Sequence, residues 1–242
     1  MTAYVLAVVF AATLIRSTLG FGEALVAVPL LALRLPLSVA APLAVLVSLA
    51  MAAVIVAQDW QHVQLRSATR LILAALPGIP LGILLLAEGN EHAVKLVLGI
   101  IIIGFSVYSL AERRALHLRE DHPGWMLGCG FLSGVLGGAY GMNGPPLAVY
   151  GALRRWSPQH FRATLQGYFL VASLAGLAGY AALGIWTAEV TRYFLLSLPA
   201  LVIATLIGRG VNRRMRGHSF FRLVYVGLAV IGTVLIVEAA RG

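Results

Sequence analysis

Apolar residues in this chain run in long unbroken blocks, with polar residues confined to short gaps between them. The blocks are Ser38–Ala57, Thr69–Ala87, Ala93–Ala111, Arg162–Leu183, Val190–Ile207 and Ser219–Ala240. Each is long enough, at 1.5 Å per residue, to cross about 30 Å of hydrocarbon as a helix, so the pattern predicts spanning helices. Two further segments, residues 3–33 and 124–153, are equally apolar but of awkward length, long for one crossing and short for two.

Glycine interrupts both of these segments. Gly20 and Gly22 stand in the first, and Gly134, Gly137, Gly138, Gly141 and Gly144 in the second, where Pro145-Pro146 follow. Glycine costs about 1 kcal/mol inside a helix, and proline removes a donor and biases its predecessor away from helical angles. Each segment is therefore expected to break near mid-membrane. Gly20-Phe21-Gly22-Glu23-Ala24-Leu25-Val26-Ala27-Val28-Pro29 matches Gly141-Met142-Asn143-Gly144-Pro145-Pro146-Leu147-Ala148-Val149-Tyr150, Ala75-Leu76-Pro77 answers Ser197-Leu198-Pro199, and Val97-Leu98-Gly99 answers Tyr225-Val226-Gly227. The order is the same throughout. The expected organisation is an all-α polytopic membrane protein of two repeated halves, 1–111 and 124–242, joined by a cytoplasmic linker at 112–123. Each half is a broken or re-entrant glycine-rich hairpin followed by three transmembrane helices.

Composition agrees: 60% of the 242 residues are hydrophobic and 11% charged, too little polar surface for a soluble domain. The N-terminus is apolar almost at once without a basic flank, so Met1–Phe10 is expected to be mature sequence. A single cysteine, Cys129, excludes an internal disulfide. The net charge of +9 sits in loops, where orientation in the bilayer accounts for it and nucleic acid is not an expected partner.

Basic residues also choose between topologies. If each opening segment were one broken span, they would divide ten to seven across the membrane. With re-entrant hairpins, Arg66, Arg70, Arg113, Arg114, Arg119, Arg154, Arg155, Arg162, Arg209, Arg213, Arg214, Arg216 and Arg222 gather on one side. Only Arg34, Lys95, Arg192 and Arg241 then lie opposite. The positive-inside rule favours the second arrangement, in which the halves are inverted and both termini lie outside.

Inverted repeats with broken helices place a binding site between the halves. Half-helix N-termini offer unpaired N–H groups to an anion, and glycine lets backbone approach it. The candidate loops are Ser17–Glu23 and Gly138–Pro145; close helix packing is the competing account of their glycines. Arg16 and Glu23 are ionisable residues inside the first hairpin. Arg16 could grip an anionic headgroup and Glu23 could carry a proton, or the two could form a salt bridge that locks the hairpin tip. Asn143 stands opposite Gly22 in the repeat, as ligand contact or helix cap. Arg162, after the helix start at Ser157-Pro158, marks either the cytoplasmic edge or the pathway, and Gln166 lies deeper. The histidines have no ligand spacing, and no phosphate-cradling loop or nucleophile elbow is present. No metal, cofactor or catalysis is expected.

At Gly20-Phe21-Gly22…Val28-Pro29-Leu30-Leu31, and at Ser133-Gly134-Val135-Leu136-Gly137-Gly138…Asn143-Gly144-Pro145-Pro146 followed by Phe161-Arg162-Ala163-Thr164, the chain resembles the TauE/SafE family of membrane permeases, the sulfite exporters. The resemblance implies a bacterial inner-membrane carrier exporting sulfite, organosulfonates or related small anions. Its expected partners are the anion, the lipid bilayer and, as an option, a second copy of the chain. Gly20, Gly22, Pro29, Gly141, Gly144, Pro145 and Arg162 match the family's motif positions. Glu23, Ala24 and Asn143 stand where the family commonly has glycine. A carboxylate beside an anion site repels the substrate unless it is protonated or paired with Arg16. This departure leaves room for proton coupling or a different solute. Together Arg16, Ser17, Gly20, Gly22, Glu23, Gly141, Asn143, Gly144, Pro145, Arg162 and Gln166 form the expected substrate site.

Overall fold

A computed structural model describes residues 1–19, 22–59, 65–111, 123–154, 156, 158–214, 226, 229–230, 232–237 and 239–240. Every element among the described residues is helical. In chain order they are α1 (Thr2–Leu19), α2 (Glu23–Ala32), α3 (Leu37–Asp59), α4 (Leu65–Ala75), α5 (Gly78–Glu88), α6 (Glu91–Ala111), α7 (Pro123–Tyr140), α8 (Gly144–Leu153), α9 (Pro158–Ala182) and α10 (Ala188–Arg214).

Four helices are long and apolar enough to cross a membrane alone: Leu37–Ala57, Glu91–Tyr108, Thr164–Ala182 and Ala188–Gly208. A fifth span forms if Ala68–Ala75 and Gly78–Glu88, bent by 44° at their junction, are counted together. These five fall on the first five blocks read from the sequence. The sixth block, Ser219–Ala240, lies largely outside the described residues. The bend has a local cause. Pro77 supplies no N–H and disfavours helical angles at Leu76, so the backbone ladder fails there. Its repeat mate Pro199 sits inside the continuous α10.

The outward faces are apolar. Leu206 is 64% exposed, Leu73 61% and Val202 60%, with Leu81, Ile100 and Leu195 above half. Such a surface cannot be left to water, and it suits lipid tails. The centre is filled by α2, α3 and α9, whose Val28, Leu31, Leu43, Ala52, Leu165 and Tyr168 are sealed from solvent.

The first opening segment turns back on itself. Tyr4 near the start of α1 donates its hydroxyl to the Leu30 carbonyl near the end of α2, and the Arg34 guanidinium lies 4.9 Å from the Tyr4 ring centre. A straight helix would hold residues 4 and 30 about 39 Å apart. The two ends of the segment therefore meet on one side of the molecule. In the second segment α7 runs unbroken through Gly134, Gly137 and Gly138, and the break begins only at Gly141. Those inner glycines serve packing. A Cβ at Gly134 would overlap the Ala75 carbonyl, and one at Gly138 the Ile79 carbonyl; Gly78 and Gly82 reciprocate against Phe131 and Val135. The bent α4–α5 pair thus clasps α7 backbone to backbone, the use of small residues that the competing account assigned to them.

Candidate functional site

Two helix breaks converge at the centre. In the first, Gly22 adopts a left-handed conformation (φ 92°), which reverses the chain before α2 starts at Glu23. In the second, Gly141 does the same (φ 66°). Its N–H donates to Gly137 C=O and that of Met142 to Leu136 C=O, closing the end of α7. Gly22, Glu23, Ala24 and Leu25 from one break, and Gly141, Met142, Asn143, Gly144 and Pro145 from the other, line a single cavity. Arg16, Ser48 and Phe169 complete its walls.

Arg16 is the centre of this arrangement and is only 1% exposed. Its Nη1 forms the ion pair with Glu23 Oε1 and also donates to Ser48 Oγ at 3.0 Å. Its Nη2 donates to Gln166 Oε1 at 2.8 Å, and the Phe169 ring stacks 5.2 Å from the guanidinium carbon. Four elements therefore hold one cation: α1 carries it, α2 neutralises it, and α3 and α9 bond and cover it. Burying a guanidinium is tolerable only with such compensation. Compensation is incomplete, however: Arg16 Nε and Glu23 Oε2 have no hydrogen-bond partner among the described residues. One donor and one acceptor remain free beside a cavity.

Of the expected site residues, Arg16, Gly22, Glu23, Gly141, Asn143, Gly144 and Pro145 line this cavity, and Gln166 reaches it through Arg16. Ser17 does not line it; its Cβ sits against Gly208, where α1 crosses α10. Gly20 lies outside the described residues. Arg162 lies on α9 one turn before Gln166, and its side chain is outside the described residues. The salt bridge weighed for Arg16 and Glu23 is formed. Asn143, read as ligand contact or cap, is at the cap position of α8, with its side-chain amide packed onto Gly137.

Four contributors were not singled out from the sequence. Ser48 had a signal, as a lone hydroxyl deep in the apolar block Ser38–Ala57. Phe169 had one too, three residues after Gln166 and so on the same helical face. Ser133 and Tyr168, which meet at 2.9 Å behind the second break, had none, because each looks like ordinary filling of a helix.

A chain whose described elements are all helical, with apolar outer faces and a buried ion pair at a helix break, is a multi-pass membrane protein. More particularly, the chain belongs to the sulfite exporter TauE/SafE family, whose sequence model matches residues 5–235, and it is thus a membrane transporter of the permease kind. It is 28% identical over 207 residues to a protein of Cupriavidus necator described as a probable sulfite/organosulfonate exporter, TauE; the match covers 84% of this chain and 80% of that protein. No solved structure matches the chain.

Proposed function

We propose that this protein exports small anions, sulfite or short organosulfonates among them, from the bacterial cytoplasm across the inner membrane. It works by alternating access around the cavity at Arg16. The observation that carries this reading is the convergence of a buried arginine and two helix N-termini on one cavity. N-terminal helix ends carry about half a positive charge each, and with Arg16 they create an anion site where Glu23 supplies the only carboxylate of the lining. The relative's description as a sulfite/organosulfonate exporter supports the substrate class. The fold-back of the first segment supports a re-entrant hairpin, as the inverted arrangement needs, since it puts Tyr4 and Arg34 on one side.

Glu23 gives the cycle its logic. Its carboxylate serves Arg16 as an internal counter-ion. An entering anion must share or replace it, and a proton on Glu23 removes the competition. Export needs no other coupling: each negative charge leaving a negative interior gains about 2.3 kcal/mol per 100 mV.

The test is flux of sulfite and methanesulfonate from liposomes under an imposed potential. Wild-type protein should give saturable flux with exchange. In Glu23→Gln, anions should bind more tightly and flux should no longer respond to a pH gradient. Flux that never saturates would make the protein a channel. Absence of flux for any sulfur oxyanion would remove the substrate assignment.

A further inference from the structure

The tip of the second hairpin is fastened from behind by a chain of buried hydroxyls. Ser133 Oγ donates to the Asn143 carbonyl at 2.7 Å, which commits its only proton. The Tyr168 hydroxyl, 2.9 Å away, therefore donates to Ser133. Both side chains are sealed from solvent, and neither lines the cavity.

What this chain of bonds grips is one peptide unit. Asn143 immediately precedes Gly144, the first residue of α8. The Asn143 carbonyl and the Gly144 N–H belong to the same planar group and point in opposite directions. Anchoring the carbonyl on α7 consequently fixes the line along which the Gly144 N–H projects. That line matters because Pro145 and Pro146 carry no N–H. Of the first three residues of α8 only Gly144 can donate, and Gly144 lines the cavity. A helix end that would ordinarily present several donors here has one, and the Ser133 bond adds an outside anchor to the hold that the helix's own first turn gives that peptide.

We infer that Tyr168 is a positioning residue: acting through Ser133, it aims the single backbone donor of the α8 terminus at the anion. The same stretch of α9 serves the other break, since Gln166 bonds Arg16 and Phe169 covers it. Three residues within four positions of one helix thus serve both halves of the cavity. The inference rests on the anion reading given above for its consequence, but the aim of the peptide is a property of the protein alone.

The experiment uses Tyr168→Phe, which keeps the ring and its edge contact with Phe169 at 6.0 Å and removes only the hydroxyl. Amide hydrogen exchange is followed over residues 141–147, and sulfite flux is titrated in liposomes. The expected result is exchange at Gly144 faster by about three- to tenfold, the worth of one buried hydrogen bond, with KM raised by a similar factor and Vmax per folded protein unchanged. Adding Tyr168→Phe to Ser133→Ala should raise KM no further, because the effect passes through Ser133. Unchanged exchange at Gly144 overturns the inference. So does a fall in Vmax and melting temperature with KM constant, which is a merely structural role. If wild-type protein carries no sulfite, the anion reading falls, and exchange at Gly144 alone decides whether Tyr168 holds the tip.

Discussion

The two helix breaks that meet at the cavity share an origin in glycine and differ in almost everything else. The first is charged: Arg16 and Glu23 face each other across it, and α2 begins with Glu23, Ala24 and Leu25, all able to present N–H groups. The second is neutral: Asn143, Gly144 and Pro145 line it, one N–H is available in its first turn, and a hydroxyl chain holds it from behind. Both breaks rest on α3, where Ser48 accepts from Arg16 and Val45 packs on Gly141. One break supplies charge, and the other, on the inference above, supplies fixed geometry. An ion pair can change partners, whereas a pinned peptide cannot, so the first break is the side expected to respond to a solute.

Removing the charge should erase the distinction. Arg16→Ala is expected to abolish saturable anion flux, a loss on the order of 100-fold or more for a buried charged donor. It also strands Glu23, which costs about 3–5 kcal/mol of stability. The double variant Arg16→Ala/Glu23→Gln leaves no unpaired charge, and should regain melting temperature without regaining flux. Flux retained in that variant would return Arg16 to a structural role. Making the second break charged instead, with Asn143→Asp, places a carboxylate where the cavity is neutral; KM should rise by about tenfold or more, and rise further at low ionic strength. An unchanged KM would show that anions do not approach the second break. Gly138→Ala tests the clasp behind that break: its Cβ meets the Ile79 carbonyl, so a loss of about 1–3 kcal/mol in stability should appear in thermal melts, with the KM of surviving protein near normal. The mildest change, Ser48→Ala, removes one of three polar partners of Arg16 and should alter KM only about two- to fivefold.

Much of this was legible in the residues. Run length located the five described spans within a few positions, because a helix in lipid must satisfy its own backbone over a fixed distance and the sequence has to mark that distance. Gly22 and Gly141 were legible as breaks, since few side chains tolerate those angles, whereas Pro77 was read only as a repeat match inside one continuous block. Arg16 and Glu23 stood out because charge in an apolar block demands a partner. What could not be read was distance across the fold. Gln166 is 150 residues from Arg16 and Ser133 is 35 from Tyr168, and no periodicity reports that such pairs meet. Gly134 and Gly138 show the opposite failing: composition suggested a break, and close packing against α4 and α5 used them instead.

That packing has a mechanical consequence. Where α7 crosses the bent α4–α5 pair, carbonyl groups approach glycine directly, with no side chains between to reorient. Rotamers are the bearings on which helices usually slip past one another, and at these glycine contacts backbone meets backbone instead. The three helices should therefore turn as one block, and any rocking of the molecule has to find its hinge elsewhere, on the side where side chains still separate the helices.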